Sequence, residues 1–147
     1  MTGTVNTLLR TLAAVASIIA GVLHWNIWAN HGYRQTPIRE MFIASAVAGV
    51  ALGLLAVLPK RWAAIPAVLA NAAFLGAFAL SRVAEVPTFH GPFSEKGLAP
   101  DDAMIVGVST TLLLLVAEGL AVVLGAASLA FGRAGRSAPL PYEVARA

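Results

Sequence analysis

Glu118 is the residue whose possible chemistry is most constrained by its sequence surroundings. It is a lone acid within a long apolar stretch, residues 103–131. A charged carboxylate at bilayer depth costs about 2.5–3.5 kcal/mol, so such a group faces a bundle interior, finds a partner or carries a proton. Asn71 and Ser17 fall at a similar depth in other apolar stretches. Two interpretations stay open: Glu118 binds a proton or ligand, or it is neutral and hydrogen-bonds Asn71 or Ser17 between helices.

The three histidines offer a second kind of chemistry, metal or haem ligation. His24 lies near the end of the first apolar stretch, and His31 follows seven residues later. On one helix they would share a face but stand about 10.5 Å apart in rise, too far to bind one metal directly. His90 could complete a three-ligand site with either of them and one acid, chosen from Glu40, Glu85 and Glu95. The alternative is that these histidines bond to loop carbonyls. We predict no cofactor, and keep haem or metal as an alternative.

Polar and aromatic residues concentrate in two connecting segments, residues 31–37 and 85–97. Prolines and glycines in the second segment favour a shaped loop that caps one mouth of a bundle. The outer-face candidate site therefore adds four loop residues to His24 and His31, namely Tyr33, Arg34, His90 and Glu95. The alternative is a solvated rim of ion pairs that contributes little stability.

Four apolar stretches must position these residues: 11–28, 41–58, 62–81 and 103–131. They contain Glu118 but none of the ten Lys and Arg residues. Each approaches the roughly 20 residues that cross about 30 Å of hydrocarbon, and none alternates with the period of a barrel strand. The chain is 59% hydrophobic and 12% charged, with a mean hydropathy of +0.80. We predict an all-α integral membrane bundle of four transmembrane helices.

The composition also excludes several classes of protein and site. With no cysteine, the chain forms no disulfide, thiolate metal site or iron–sulfur centre of its own. Its pI near 10 does not indicate nucleic-acid binding, because no basic run or basic patch with interleaved aromatic residues occurs. The first apolar stretch is longer than a typical signal-peptide core, so we expect it to be retained as a helix.

The distribution of Lys and Arg predicts the orientation. With both termini in the cytoplasm, the inner side carries six of these residues and the outer side four: Arg10, Lys60, Arg61, Arg133, Arg136 and Arg146 against Arg34, Arg39, Arg82 and Lys96. The positive-inside rule favours this orientation in the cytoplasmic membrane. We expect residues 1–136 to form the transmembrane domain and residues 137–147 a disordered cytoplasmic tail.

Local signals predict where the helices begin and which of them are neighbours. Thr36 and Pro37 read as the cap and first residue of the second helix, with Glu40 in its first turn, and residues 101–102 read as the start of the fourth. The three residues 59–61 predict a tight antiparallel hairpin between the second and third helices.

Gly49 and Gly53 form a GxxxG motif on the second helix. Such a motif lets helix backbones approach closely. It is explained either by packing within the bundle or by self-association of two chains.

The arrangement resembles a group of small, uncharacterised four-helix membrane proteins of actinobacterial type. The similar positions are His24, Tyr33, Pro37, Phe42 and Glu118, together with a loop of the Gly-Phe-Glu kind at residues 91–95, where Pro92 is a departure. The resemblance spans residues 10–131 and implies the fold and an inner-membrane location. It implies no activity.

We expect a non-enzymatic accessory or small-ligand-binding bundle that associates with a membrane-protein complex or with itself. One alternative is a cofactor-binding or redox-linked membrane protein that uses the outer-face histidines. A second is proton-coupled transport through Glu118, for which four helices are few, so that it would require oligomerisation.

Overall fold

The computed structural model describes residues 2–31, 38–83, 104–105 and 108–134, and within them the chain forms four long helices. Their bounds are α1 Thr2–His31, α2 Ile38–Val57, α3 Ala64–Val83 and α4 Thr110–Ala134. Each is long and apolar enough to cross a membrane. The prediction of four such helices is confirmed.

Helix α1 packs against α2 and α4, and α3 packs against the same two helices from the opposite side. Ser128 near the end of α4 bonds to Asn6 near the start of α1, whereas Glu118 lies beside His24 further along α1. Residue numbers therefore rise on α1 as they fall on α4, which makes these helices antiparallel. Each of the four helices thus packs against two neighbours in the bundle.

The connection between α2 and α3 is the predicted tight hairpin. The chain leaves α2 through a turn in which the Leu58 amide donates to the Leu55 carbonyl at 3.1 Å. A single 3₁₀ turn, Arg61–Ala63, then leads directly into α3. Pro66 lies in the first turn of α3, where the missing amide hydrogen breaks no helical bond.

The beginning of α4 differs from the sequence prediction. Two short strands, β1 Met104–Ile105 and β2 Val108–Ser109, pair antiparallel where the sequence predicted the first two turns of the helix. The helix starts at Thr110, and the Ser109 hydroxyl accepts a hydrogen bond from the Leu112 amide at 3.3 Å as an N-cap does. Residues 104–105 and 108–109, which the sequence placed inside the helix, are therefore not helical, and the predicted helix start at residues 101–102 is not tested. Those residues lie outside the described part of the chain, as do Thr36 and Pro37.

Glycines bring α1 and α2 into backbone contact. A Cβ atom added to Gly21 would lie 2.7 Å from the Ala46 carbonyl oxygen, and one added to Gly49 would lie 2.8 Å from the Gly21 Cα. A Cβ atom on Gly53 would lie 2.9 Å from the Ala14 carbonyl oxygen. Both glycines of the GxxxG motif thus pack against α1 of the same chain, as the first interpretation of the motif predicts.

The distribution of small and large apolar side chains is the reverse of that in a soluble protein. Among the described residues, all but three of the buried apolar side chains are alanines, the exceptions being Leu23, Ile27 and Leu114. Large aliphatic side chains lie outside instead, with Leu69 64% and Leu54 59% exposed. Soluble domains bury such side chains, whereas membrane bundles pack small residues inside and turn large ones towards lipid.

Candidate functional site

A histidine and an acid meet inside the bundle. His24 Nε2 lies 3.6 Å from Glu118 Oε1, and the two residues are only 7% and 2% exposed. The distance exceeds the 2.7–3.2 Å of a typical hydrogen bond, and a side-chain shift of about half an ångström would form one. We call these two residues the His–Glu pair.

The His24 ring contacts or bonds to all four helices. Phe42 of α2 and Phe74 of α3 lie against it, with ring centroids 5.8 Å and 5.4 Å away. Glu118 approaches from α4, and the ring bonds to the Ala20 carbonyl of its own helix at 3.0 Å. The surroundings of the imidazole are therefore aromatic and apolar except for these two oxygen contacts.

The bond to Ala20 fixes how the imidazole carries its hydrogen. A carbonyl oxygen only accepts, so His24 Nδ1 is the donor in this bond. In the neutral ring Nε2 is then the nitrogen without a hydrogen, and this is the atom that faces Glu118. A protonated Glu118 can donate to Nε2, and a protonated His24 can donate to a Glu118 carboxylate. The geometry suits one proton held between the two residues.

A second polar group lies about two helical turns along α1. The Asn71 amide nitrogen donates to Ser17 Oγ at 3.0 Å and to the Ala67 carbonyl at 2.8 Å, and Ser17 Oγ donates to the Gly49 carbonyl at 3.0 Å. Ser17 and Asn71 are both 0% exposed. This chain of bonds ties α3 to α1 and α1 to α2.

The spacing on α1 explains why both groups face inward. Ser17 and His24 are seven residues apart, which is two helical turns on one face. That face also carries Ala20, whose side chain is 1% exposed. Because α4 runs antiparallel and begins at Thr110, Glu118 stands level with the His24 side chain.

The structure thus rearranges the residues that the sequence singled out. One of the two interpretations of Glu118, a hydrogen bond with Asn71 or Ser17, is not seen among the described residues, where Asn71 and Ser17 bond to each other and to backbone carbonyls. Across the described ranges Glu118 Oε1 has no hydrogen-bond partner, and its nearest charged or chargeable group is His24. The pairing of Glu118 with His24 was not predicted.

The outer-face cluster is described only in part. The His24 ring lies inside the bundle instead of at the helix end. His31 is the last residue of α1, and its side chain lies outside the described residues, as do four other members of the cluster: Tyr33, Arg34, His90 and Glu95. In the part of the chain that the structure describes, no three His, Cys, Asp or Glu residues are grouped so as to hold a metal ion.

One further ion pair is present among the described residues. Arg39 Nη2 lies 3.7 Å from Glu40 Oε1 at the start of α2, and both side chains are about half exposed. Neither is part of the His–Glu pair. The titratable groups that the described parts of the four helices bring to the pair are therefore His24 and Glu118 themselves.

Comparison with known proteins adds no further assignment. No family model, curated protein or solved structure matches the chain. The resemblance to four-helix proteins of actinobacterial type stays a prediction, and function has to be argued from the site.

Proposed function

We propose that this chain is a multi-pass protein of the cytoplasmic membrane that binds and releases a proton at the His–Glu pair, acting as a non-enzymatic accessory subunit. The observation that carries the proposal is the approach of His24 Nε2 to Glu118 Oε1 at 3.6 Å inside the bundle. The proposal narrows the accessory role expected from the sequence by naming a proton as the bound species.

The pair can hold one proton without carrying net charge. With the proton on Glu118 both groups are neutral, and with the proton on His24 the two charges cancel. Removing that proton, or adding a second, leaves an uncompensated charge in a low-dielectric interior, where it is costly. Proton binding therefore changes the electrostatics of the bundle, and a change in helix packing or partner contacts is the expected response.

The hydrogen bonding distinguishes this pair from a purely structural contact. Asn71 and Ser17 form a connected set of short bonds, as expected of side chains that hold helices together. Asn71 leaves its oxygen unpaired but makes two short bonds through its nitrogen, whereas Glu118 Oε1 makes no hydrogen bond among the described residues. A buried acid with such weak pairing is poor structural support, since apolar residues of similar size would stabilise the bundle as well or better.

An apolar cluster packs beside the pair. Leu23, Ile27 and Leu114 are buried together with Ala20 and Ala117. A packed apolar cluster offers no polar path for protons, so we favour proton binding over conduction through a single chain. Proton-coupled transport is thus the weaker proposal, and it still requires several chains. Self-association through Gly49 and Gly53 would require α1 to leave α2, so our proposal does not use that surface.

The experiment is a proton-uptake titration of the full chain in lipid nanodiscs. The Glu118→Gln variant should bind one proton fewer than the unmodified protein across the titration. Glu40→Gln is the matched control, because Glu40 lies at the exposed start of α2.

Glu118→Gln should change the titration of the His24 ring, and Glu40→Gln should leave it unchanged. Equal titration curves for the two variants, or no change at His24 on replacing Glu118, would contradict the proposal.

A further inference from the structure

Asn71 carries a buried oxygen atom that the polar group on α1 and α3 leaves unused. The Asn71 amide nitrogen donates to the Ala67 carbonyl, which fixes the orientation of the amide because a carbonyl only accepts. Asn71 Oδ1 therefore points away from Ala67. It has no hydrogen-bond partner within the described ranges, although Asn71 is 0% exposed.

Ser17 cannot supply the missing hydrogen. Its single hydroxyl hydrogen goes to the Gly49 carbonyl, so Ser17 Oγ acts only as an acceptor towards Asn71. Every hydrogen in this group is thus committed, and the group ends in a free acceptor at Asn71 Oδ1. A buried acceptor left unpaired costs about 1–3 kcal/mol, which a donor from a small molecule would recover.

Glu118 Oε1 of the His–Glu pair is another buried acceptor without a hydrogen-bond partner among the described residues, and Asn26 Oδ1 on α1 is a third. Asn71 and Phe74 are three residues apart on α3, and Phe74 contacts the His24 ring. Asn71 Oδ1 and Glu118 Oε1 therefore lie at neighbouring levels of one bundle interior. A water molecule at each level would donate one hydrogen to the acceptor there and keep the other for a second partner.

Asn71 Oδ1 and Glu118 Oε1 also meet the chemical requirement for buried water. A buried water makes two to four hydrogen bonds to polar groups, and each of these oxygens can accept one. Beside the pair, Leu23, Ile27 and Leu114 pack with Ala20 and Ala117 in an apolar cluster that offers a water no polar partner. The side of Asn71 is therefore the one on which a water finds a partner.

We propose that Asn71 Oδ1 and Glu118 Oε1 bind water inside the bundle, and that this water carries protons to and from the His–Glu pair on the side where α1 begins. The inference rests on the proposed function. In each transfer to the pair, an O–H bond of the water breaks as an H–Nε2 or H–Oε1 bond forms. The water then regains a proton from a neighbouring water molecule. The water gains or loses no proton overall. Asn71 positions the water and does not itself exchange a proton.

The first test is the rate at which Glu118 changes protonation after a pH jump, followed by infrared spectroscopy of its carboxyl group in nanodiscs. Asn71→Leu keeps a similar volume but removes the amide oxygen. We expect it to slow the change at least tenfold while leaving its final amplitude intact. Ser128→Ala is the matched control. Ser128 is also buried and hydrogen-bonded, to Asn6, but lies near the far end of α4. It should leave the rate unchanged.

A second measurement does not depend on whether the leucine variant folds. Solid-state NMR of the unmodified protein in bilayers, with magnetisation transferred from water, should show early transfer to the Asn71 side chain. Absence of that transfer, or an unchanged rate in folded Asn71→Leu, overturns this inference and leaves the proposed function standing. Absence of any titration of Glu118 in the unmodified protein overturns the proposed function.

Discussion

The close contact between α1 and α2 predicts that Gly49→Ala destabilises the bundle. In Gly49→Ala the new Cβ atom would lie 2.8 Å from the Cα atom of Gly21, 2.9 Å from its nitrogen and 3.0 Å from the Ser17 carbonyl oxygen. All three are backbone atoms, so no rotamer change relieves the overlap. Carbon atoms pack at about 3.5–4.0 Å, so the helices must separate by roughly 0.7 Å or more.

Gly49→Ala changes the free energy of unfolding through two losses and one gain. Overpacking of this kind destabilises by about 1–3 kcal/mol. The same movement stretches the 3.0 Å bond from Ser17 Oγ to the Gly49 carbonyl beyond useful length, which removes about 0.5–1.5 kcal/mol. Alanine in place of glycine returns about 1 kcal/mol of helix propensity. The expected net loss in free energy of unfolding is therefore about 0.5–3.5 kcal/mol.

The assay is reversible unfolding in mixed micelles of rising SDS content, followed by tryptophan fluorescence. Gly76→Ala is the matched control, because a Cβ atom at Gly76 meets nothing within 4 Å. It should leave the free energy of unfolding unchanged or raise it by up to about 1 kcal/mol through helix propensity. Equal stability of Gly49→Ala and Gly76→Ala would refute the reasoning, because it would mean that the glycine contact does not hold α1 against α2.

Three further outcomes are expected. Replacing both members of the His–Glu pair, with His24→Phe and Glu118→Leu, should leave stability unchanged or raise it by about 1–4 kcal/mol while abolishing the shared proton; a large loss of stability would assign the pair a structural role. Ser109→Ala removes the cap of α4 and should lower the free energy of unfolding by about 0.5–2 kcal/mol in the SDS assay, and no loss would mean that the hydroxyl does not cap the helix. Because the chain has no cysteine, Lys60→Cys and Glu40→Cys each introduce a single reactive thiol. An impermeant maleimide added outside should label Glu40→Cys in intact cells and Lys60→Cys only after the membrane is opened. The reverse pattern would contradict the predicted orientation.

The sequence predicted the helices well because their determinants are local. Runs of apolar residues without charge predict helices of membrane-spanning length. The short segment at residues 59–61 requires α2 and α3 to be neighbours. The start of α4 was predicted less well. Residues 104–109 are apolar enough to extend the helix, but β-branched Ile105 and Val108 pair in a short hairpin instead.

That displaced start explains why the partner of Glu118 was not predicted. Starting α4 at residue 103 places Glu118 about two turns too deep, at the level of Asn71 and Ser17. With the start at Thr110, Glu118 moves to the level of His24. The seven-residue spacing of Ser17 and His24 was visible in the sequence and indicates one inward face. The register between α1 and α4 was not, because it depends on contacts such as Asn6 with Ser128, which are distant in sequence.

The most direct test of the central claim is ¹⁵N solid-state NMR of the His24 ring in bilayers, recorded through a pH titration with and without Glu118→Gln. We predict that Nδ1 stays protonated throughout, because it donates to the Ala20 carbonyl. We also predict that the titration of Nε2 moves when Glu118 is replaced, because the two share one proton. An Nε2 resonance that titrates identically in both proteins would contradict the account.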